Sequence, residues 1–168
     1  MSRPNDQEFN DDRLGRIERI VSGLVVDMGD IKGNIAKYEV ARDARLITFD
    51  LGVQYLREIE RDELARWAQE LSHKEVEARA LRSFRKADLV IEASGSEESV
   101  YVVIEVSYTA DHRDTARVMR NAEFIHQLTG REAKPVVASV KNDRQVTQQV
   151  EQKLVHWHQI DVGSLKAE

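Results

Sequence analysis

Residues 100–107, Val-Tyr-Val-Val-Ile-Glu-Val-Ser, are apolar at both alternating sets of positions. A strand of that kind is buried on both faces, so the chain must supply a sheet with covering layers on either side. Inside the run stands Glu105, with Ser107 two residues further along the same face. A carboxylate in such surroundings is unfavourable unless something compensates its charge.

The elements around this strand are readable from turn signals and changes of period. ADLVIEA (87–93) predicts a preceding strand and SGSEES (94–99) the turn between the two. A helix is expected from about Asp111 to Leu128, closed by Gly130, followed by a strand at PVVASV (135–140). NDRQVTQQVEQKL (142–154) reads as a helix capped by Asn142, and VHWHQI (155–160) as a short last strand. Residues 87–168 therefore form an α/β core, a mixed sheet with crossover helices.

The first half reads as helical. Residues 1–13 are polar and are expected to be a disordered tail. From there apolar residues fall at Leu14, Ile17, Val21, Leu24, Met28, Ile31, Ile35 and Tyr38, steps of three and four in strict alternation. That is the seam of one long, coiled-coil-like helix over residues 14–42. Glycines 15, 23, 29 and 33 lie off the seam and weaken the helix, so the stripe needs a partner. Two are open: a second copy, giving a homo-oligomer (a dimer at its simplest) through residues 14–38, or the helices that follow. Residues 43–86 read as those shorter helices, one with Leu64, Trp67 and Leu71 on its apolar face. SHKE (72–75) looks like a capping box that restarts a helix carrying Val76, Ala80, Leu81 and Phe84.

Composition sets the outer bounds. With 168 residues and 41% hydrophobic content the chain can build a core, and with no cysteine it has neither disulfides nor cysteine-bound zinc. A polar N-terminus without a signal-peptide core and the lack of any membrane-spanning run point to the cytoplasm. The net charge of −5 opposes general coating of nucleic acid but allows a local basic groove.

If the six-residue turn closes symmetrically, Ala93 pairs with Val100, Asp88 lies opposite Glu105 and Lys86 opposite Ser107. Opposed residues in an antiparallel pair have Cβ atoms about 5 Å apart. Two carboxylates that close raise each other's pKa unless a cation stands between them. Oxygen-only ligands point to magnesium or manganese. The plainer alternatives are a solvated Asp88 and a Glu105 satisfied by a backbone amide or one arginine.

A strand, a turn, YVVIEVS and a helix together resemble the core of the PD-(D/E)XK nuclease superfamily, the restriction-endonuclease-like fold. The likeness spans roughly residues 85–140, and EVSYTAD, RNAEFIHQLTG and PVVASV are similar to uncharacterised bacterial members with helical N-termini. It implies a metal-dependent phosphodiesterase acting on DNA or RNA, with Asp88 and Glu105 as catalytic metal ligands and Glu39 as a third acid. Three features depart from the pattern. Ala87 replaces a proline, the first core strand is not visible, and Ser107 stands where the family carries its lysine. Ser107 stays a catalytic candidate because a serine can coordinate a metal-bound water, but it brings no positive charge to a phosphoryl transition state, so the cation must come from elsewhere. Lys86 is one candidate; Arg113, Arg117 and Arg120, on one face of the next helix, are others and would also meet a nucleic-acid backbone. The alternative is an inactive nuclease-fold domain that binds nucleic acid or a protein partner and oligomerises through its first helix.

Overall fold

The computed structural model describes residues 4–161 and 163, with side chains from Leu14 onward. Its elements run α1 (Pro4–Arg42), α2 (Ala44–Asp50), β1 (Gln54–Glu58), α3 (Arg61–Leu71), α4 (Ala78–Phe84), β2 (Leu89–Ser94), β3 (Ser99–Ala110), α5 (His112–Thr129), β4 (Ala133–Asn142), α6 (Arg144–Glu151) and β5 (His156–Gln159). The strands form one sheet in sequential order. β1, β2 and β3 are antiparallel neighbours, while β4 and β5 continue the sheet parallel to β3. A mixed α/β sheet flanked by helices and preceded by a long helix is the arrangement expected from the sequence.

Both faces of the central strands are covered, as the unbroken apolar run of β3 requires. Val90, Tyr101, Val103 and Val137 pack against Leu64, Ala68, Phe84, Val118 and Ile125 of α3, α4 and α5. On the opposite face Leu89, Ile91, Val102, Ile104 and Val136 meet Ala36 and Val40 of α1 and Ala44 and Ile47 of α2. The β2–β3 register is the symmetric one, with Leu89 opposite Ile104 and Ala93 opposite Val100.

Several expectations are corrected. β1 supplies the first core strand inside a segment that reads as helical. Gly52, at φ 72°, turns the chain from α2 into it. The register shifts between Tyr55 and Arg57, so Leu56 is an extra residue and the alternation that marks a strand is lost. Arg57 fastens the strand by donating to Glu92 of β2 at 2.8 Å and to Glu63 of α3 at 2.7 Å. SHKE starts no helix: Ser72 ends α3 by donating to the Gln69 carbonyl at 2.6 Å, and α4 begins at Ala78 after Glu77. The cap of α6 is Asp143, which accepts from the Val146 amide at 2.8 Å, whereas Asn142 closes β4. Helical backbone begins at Pro4, inside the stretch expected as a tail, and residues 1–3 lie outside the described residues.

The helix α5 follows its sequence signals closely. Asp111 and Asp114 form a reciprocal capping box, and Gly130 closes the helix in the left-handed conformation at φ 69°. Ile104, fully buried between the layers, and Leu56, half exposed on the bulge, give a direct contrast. Ile104→Ala should lower the urea unfolding free energy by about 2–5 kcal/mol. Leu56→Ala should change it by less than about 0.5 kcal/mol. Equal losses at the two positions would contradict the bulge.

Candidate active site

Glu105 is only 3% exposed. It lies on the α5 side of β3, in the alternation that also points Tyr101 and Val103 toward that layer. Asn121 of α5 donates from Nδ2 to its Oε1 at 3.3 Å, and Arg117 Nε stands 3.5 Å from its Oε2. Asn121 is itself fully buried and leaves its Oδ1 without a hydrogen-bond partner among the described residues.

Asp88 sits one residue before the first pair of the β2–β3 ladder. Extending that register sets it opposite Glu105. Its Oδ2 accepts from the Val106 amide at 2.9 Å. The preceding turn is held by Arg61 of α3, which donates to the Ala87 carbonyl at 2.9 Å. The two acids lie close enough for Asp88 to help raise the Glu105 pKa. Burial is the largest influence; the charge of Asp88 adds to it, Arg117 opposes it, and Asp114 contributes a smaller rise. Together they push the Glu105 carboxyl up to about 8.

The cation beside Asp88 comes from a residue that sequence reasoning missed. Lys37 of α1 places Nζ 2.7 Å from Asp88 Oδ1, with the lysine side chain 53% and the aspartate side chain 9% exposed. A signal for it exists in the sequence. Ala36, Val40 and Ala44 form an i, i+4, i+8 stripe apart from the heptad seam, and this stripe lays α1 and α2 on the sheet. Lys37 follows Ala36 and so sits beside that contact face.

The other expected residues fall as follows. Lys86 is exposed in the joint between α4 and β2, outside the paired ladder, so it does not stand across from Ser107. Ser107 donates from Oγ to the Thr109 carbonyl at 2.9 Å. Glu39 is buried and paired with Arg42 at 2.5 Å. No group of three or more acidic or histidine side chains able to hold a metal gathers among the described residues, so Glu39 does not complete a triad with Asp88 and Glu105. Arg113 pairs with Asp111 at 2.7 Å and Arg117 with Asp114 at 2.8 Å. Arg120 donates to Ser83 at 3.0 Å, while its Nε stays buried without a partner among the described residues. All three arginines line one cleft between α4 and α5, together with Arg79.

These residues fit a hard divalent cation. The oxygens gathered here, two adjoining carboxylates and a buried amide oxygen without a donor among the described residues, are of the hard type that such a cation takes. Magnesium binds through one or two carboxylates and keeps several waters, so a third acid is not required.

No protein-family model matches the chain, and no curated protein does. Among solved structures, similarity is found to a repair endonuclease from Pyrococcus abyssi at 12% identity and TM-score 0.37, covering 44% of this chain and 33% of that one. A complex of EndoMS with double-stranded DNA matches at 12% identity and TM-score 0.36, covering 44% of this chain and 31% of that one. The chain thus spans about a third of the length of the proteins it matches, and at these values the likeness assigns no residue a role. No helix among the described residues is long and apolar enough to cross a membrane.

A pH prediction follows from the raised Glu105 pKa. Folding favours its protonated form, so that contribution is fully present below the unfolded value of about 4.3 and is lost as pH rises through the folded value. In EDTA, the Tm of the wild type should therefore fall more steeply than that of Glu105→Gln between roughly pH 5 and pH 8. Parallel profiles would show that Glu105 ionises without penalty.

Proposed function

We propose that this chain is a metal-dependent phosphodiesterase of the PD-(D/E)XK type acting on DNA or RNA, with Lys37 carrying the positive charge that Ser107 cannot. The observation behind this reading is the pairing of buried Glu105 with Asp88 while Lys37 approaches the same aspartate from a different layer of the fold. Asp88 and Glu105 would hold magnesium or manganese. Bound there, the ion would neutralise the two carboxylates and lower the pKa of a coordinated water toward neutrality.

The remaining roles belong to the chain's own groups. Phosphodiester hydrolysis builds negative charge on the phosphoryl oxygens as the water oxygen adds and the ester oxygen departs. The Lys37 ammonium, 2.7 Å from Asp88 Oδ1, would donate to that developing charge. Asn121 holds the Glu105 carboxylate from α5, and the Val106 amide holds that of Asp88. The cleft lined by Arg79, Arg113, Arg117 and Arg120 offers guanidinium groups to the phosphates of a nucleic-acid strand. Arg117 lies in that cleft and beside Glu105, so it links the two regions. A cytoplasmic homo-oligomer formed through residues 14–38 is part of the same reading.

A second reading is an inactive nuclease-fold domain that binds nucleic acid or a protein partner. It is favoured by Ser107, whose hydroxyl is occupied by the Thr109 carbonyl.

Single- and double-stranded DNA and RNA, incubated with magnesium and with manganese, separate these readings. Cleavage should occur with at least one substrate, disappear in Glu105→Ala, and fall about 100-fold in kcat for Lys37→Ala. Lys86→Ala should keep activity near the wild-type level. Loss in Lys86→Ala with an active Lys37→Ala would return the cation's role to Lys86. Binding without cleavage on all substrates, unchanged in Glu105→Ala, would establish the inactive alternative.

A further inference from the structure

The seam of α1 is left uncovered by the described residues of the chain. Leu14, Ile17, Val21, Leu24, Met28 and Ile31 are each more than half exposed, and Tyr38 at the end of the seam is 70% exposed. The helix meets the sheet through the opposite side, where Ala36 and Val40 are buried. The helices that follow are therefore not the seam's partner. A glycine-bearing helix standing free of its domain is marginal in water, and a continuous apolar stripe on it marks a contact surface.

We infer that this surface is the interface of a parallel two-stranded coiled coil between two copies of the chain. In heptad notation Leu14, Val21, Met28 and Ile35 occupy a, and Ile17, Leu24, Ile31 and Tyr38 occupy d. The flanking g and e positions identify the occupant. A parallel in-register pair brings each g residue to the e residue five positions later on the partner helix. Asp27 then meets Lys32, and Ile20 meets Val25. Opposite charges meet each other and apolar meets apolar, which is complementarity of this helix to itself. An antiparallel pair sets g against g and e against e and makes neither of these contacts. The four α1 glycines occupy b, c and f, outside the seam, where an added Cβ would meet nothing within 4 Å. Within one chain Lys32 lies 5.3 Å over the Tyr108 ring, so pairing with Asp27 would draw it from that contact or share it.

The inference takes up the homo-oligomer of the proposed function and gives it a strand number and a direction; it is separable from the acid site, to which no residue of the seam belongs. A two-fold axis along the coil would set two acid sites on the same end of the assembly, giving two linked grips on one nucleic acid.

Light scattering on the full chain at micromolar concentration should give twice the chain mass. Because the chain has no cysteine, Leu14→Cys reports orientation by itself. Parallel pairing places the two substituted positions at the same level, so mild oxidation should yield a covalent dimer. Leu24→Glu should give a monomer with the near-UV circular dichroism of the wild type. Asp27→Lys should raise the dimer Kd roughly tenfold, and adding Lys32→Glu should restore it. Loss of the Tyr108 contact cannot account for that rescue, since the double variant also lacks Lys32. A wild-type monomer at tens of micromolar, a Leu24→Glu dimer, or a stoichiometric complex with a different protein would overturn the inference. A Leu14→Cys dimer that oxidation fails to link covalently would overturn its parallel orientation.

Discussion

A carboxylate buried on a covered sheet face is the constraint around which this fold is arranged. Glu105 lies among apolar neighbours on β3, and desolvation dominates its behaviour. What surrounds it follows from that burden. Asn121 and Arg117 reach it from α5, and Asp88 is brought against it by the β2–β3 register. Asp88 is in turn steadied by the Val106 amide and by Lys37. Replacing Glu105 and Asp88 by apolar residues would make a simpler core, since buried ionic groups seldom add net stability. Two acids kept together at such a disadvantage are the ground for the proposed cation site.

The helix α1 serves this arrangement with one face and leaves another free. Ala36 and Val40 lie on the sheet and so set the position of Lys37 beside Asp88. The heptad seam, on the far side, makes no such contact. Anything that orders α1 along the seam therefore also orders the lysine. An assembly formed along the seam would therefore be coupled to the site through this one helix, which glycine otherwise weakens.

Much of the core was legible in the sequence, because β2, β3, α5 and β4 carry strong local signals. The unbroken apolar run of β3, the SGSEES turn, the Asp111 cap and Gly130 all act over a few residues. The Ala93–Val100 register needed only the turn length. β1 was hidden because Leu56 bulges out and breaks its period, leaving a pattern that resembles a short helix. Lys37 was hidden for a different reason. Its role depends on a second, sparser stripe of small residues on α1, and the heptad seam is the louder periodicity. Lys86 falls opposite Ser107 only if the paired hairpin is carried two residues and more beyond Leu89, into the stretch where the chain is turning out of α4. The sequence likewise could not decide what covers the seam, since a period fixes a face and not its partner.

The central claim is that Asp88 and Glu105 jointly hold one divalent cation. Anomalous diffraction from a crystal soaked in manganese tests it most directly. A single peak within bonding reach of both carboxylates, absent in Glu105→Gln, is the result this account predicts. Well-ordered side chains at both positions with no peak between them, at a manganese concentration that supports binding elsewhere, would contradict it.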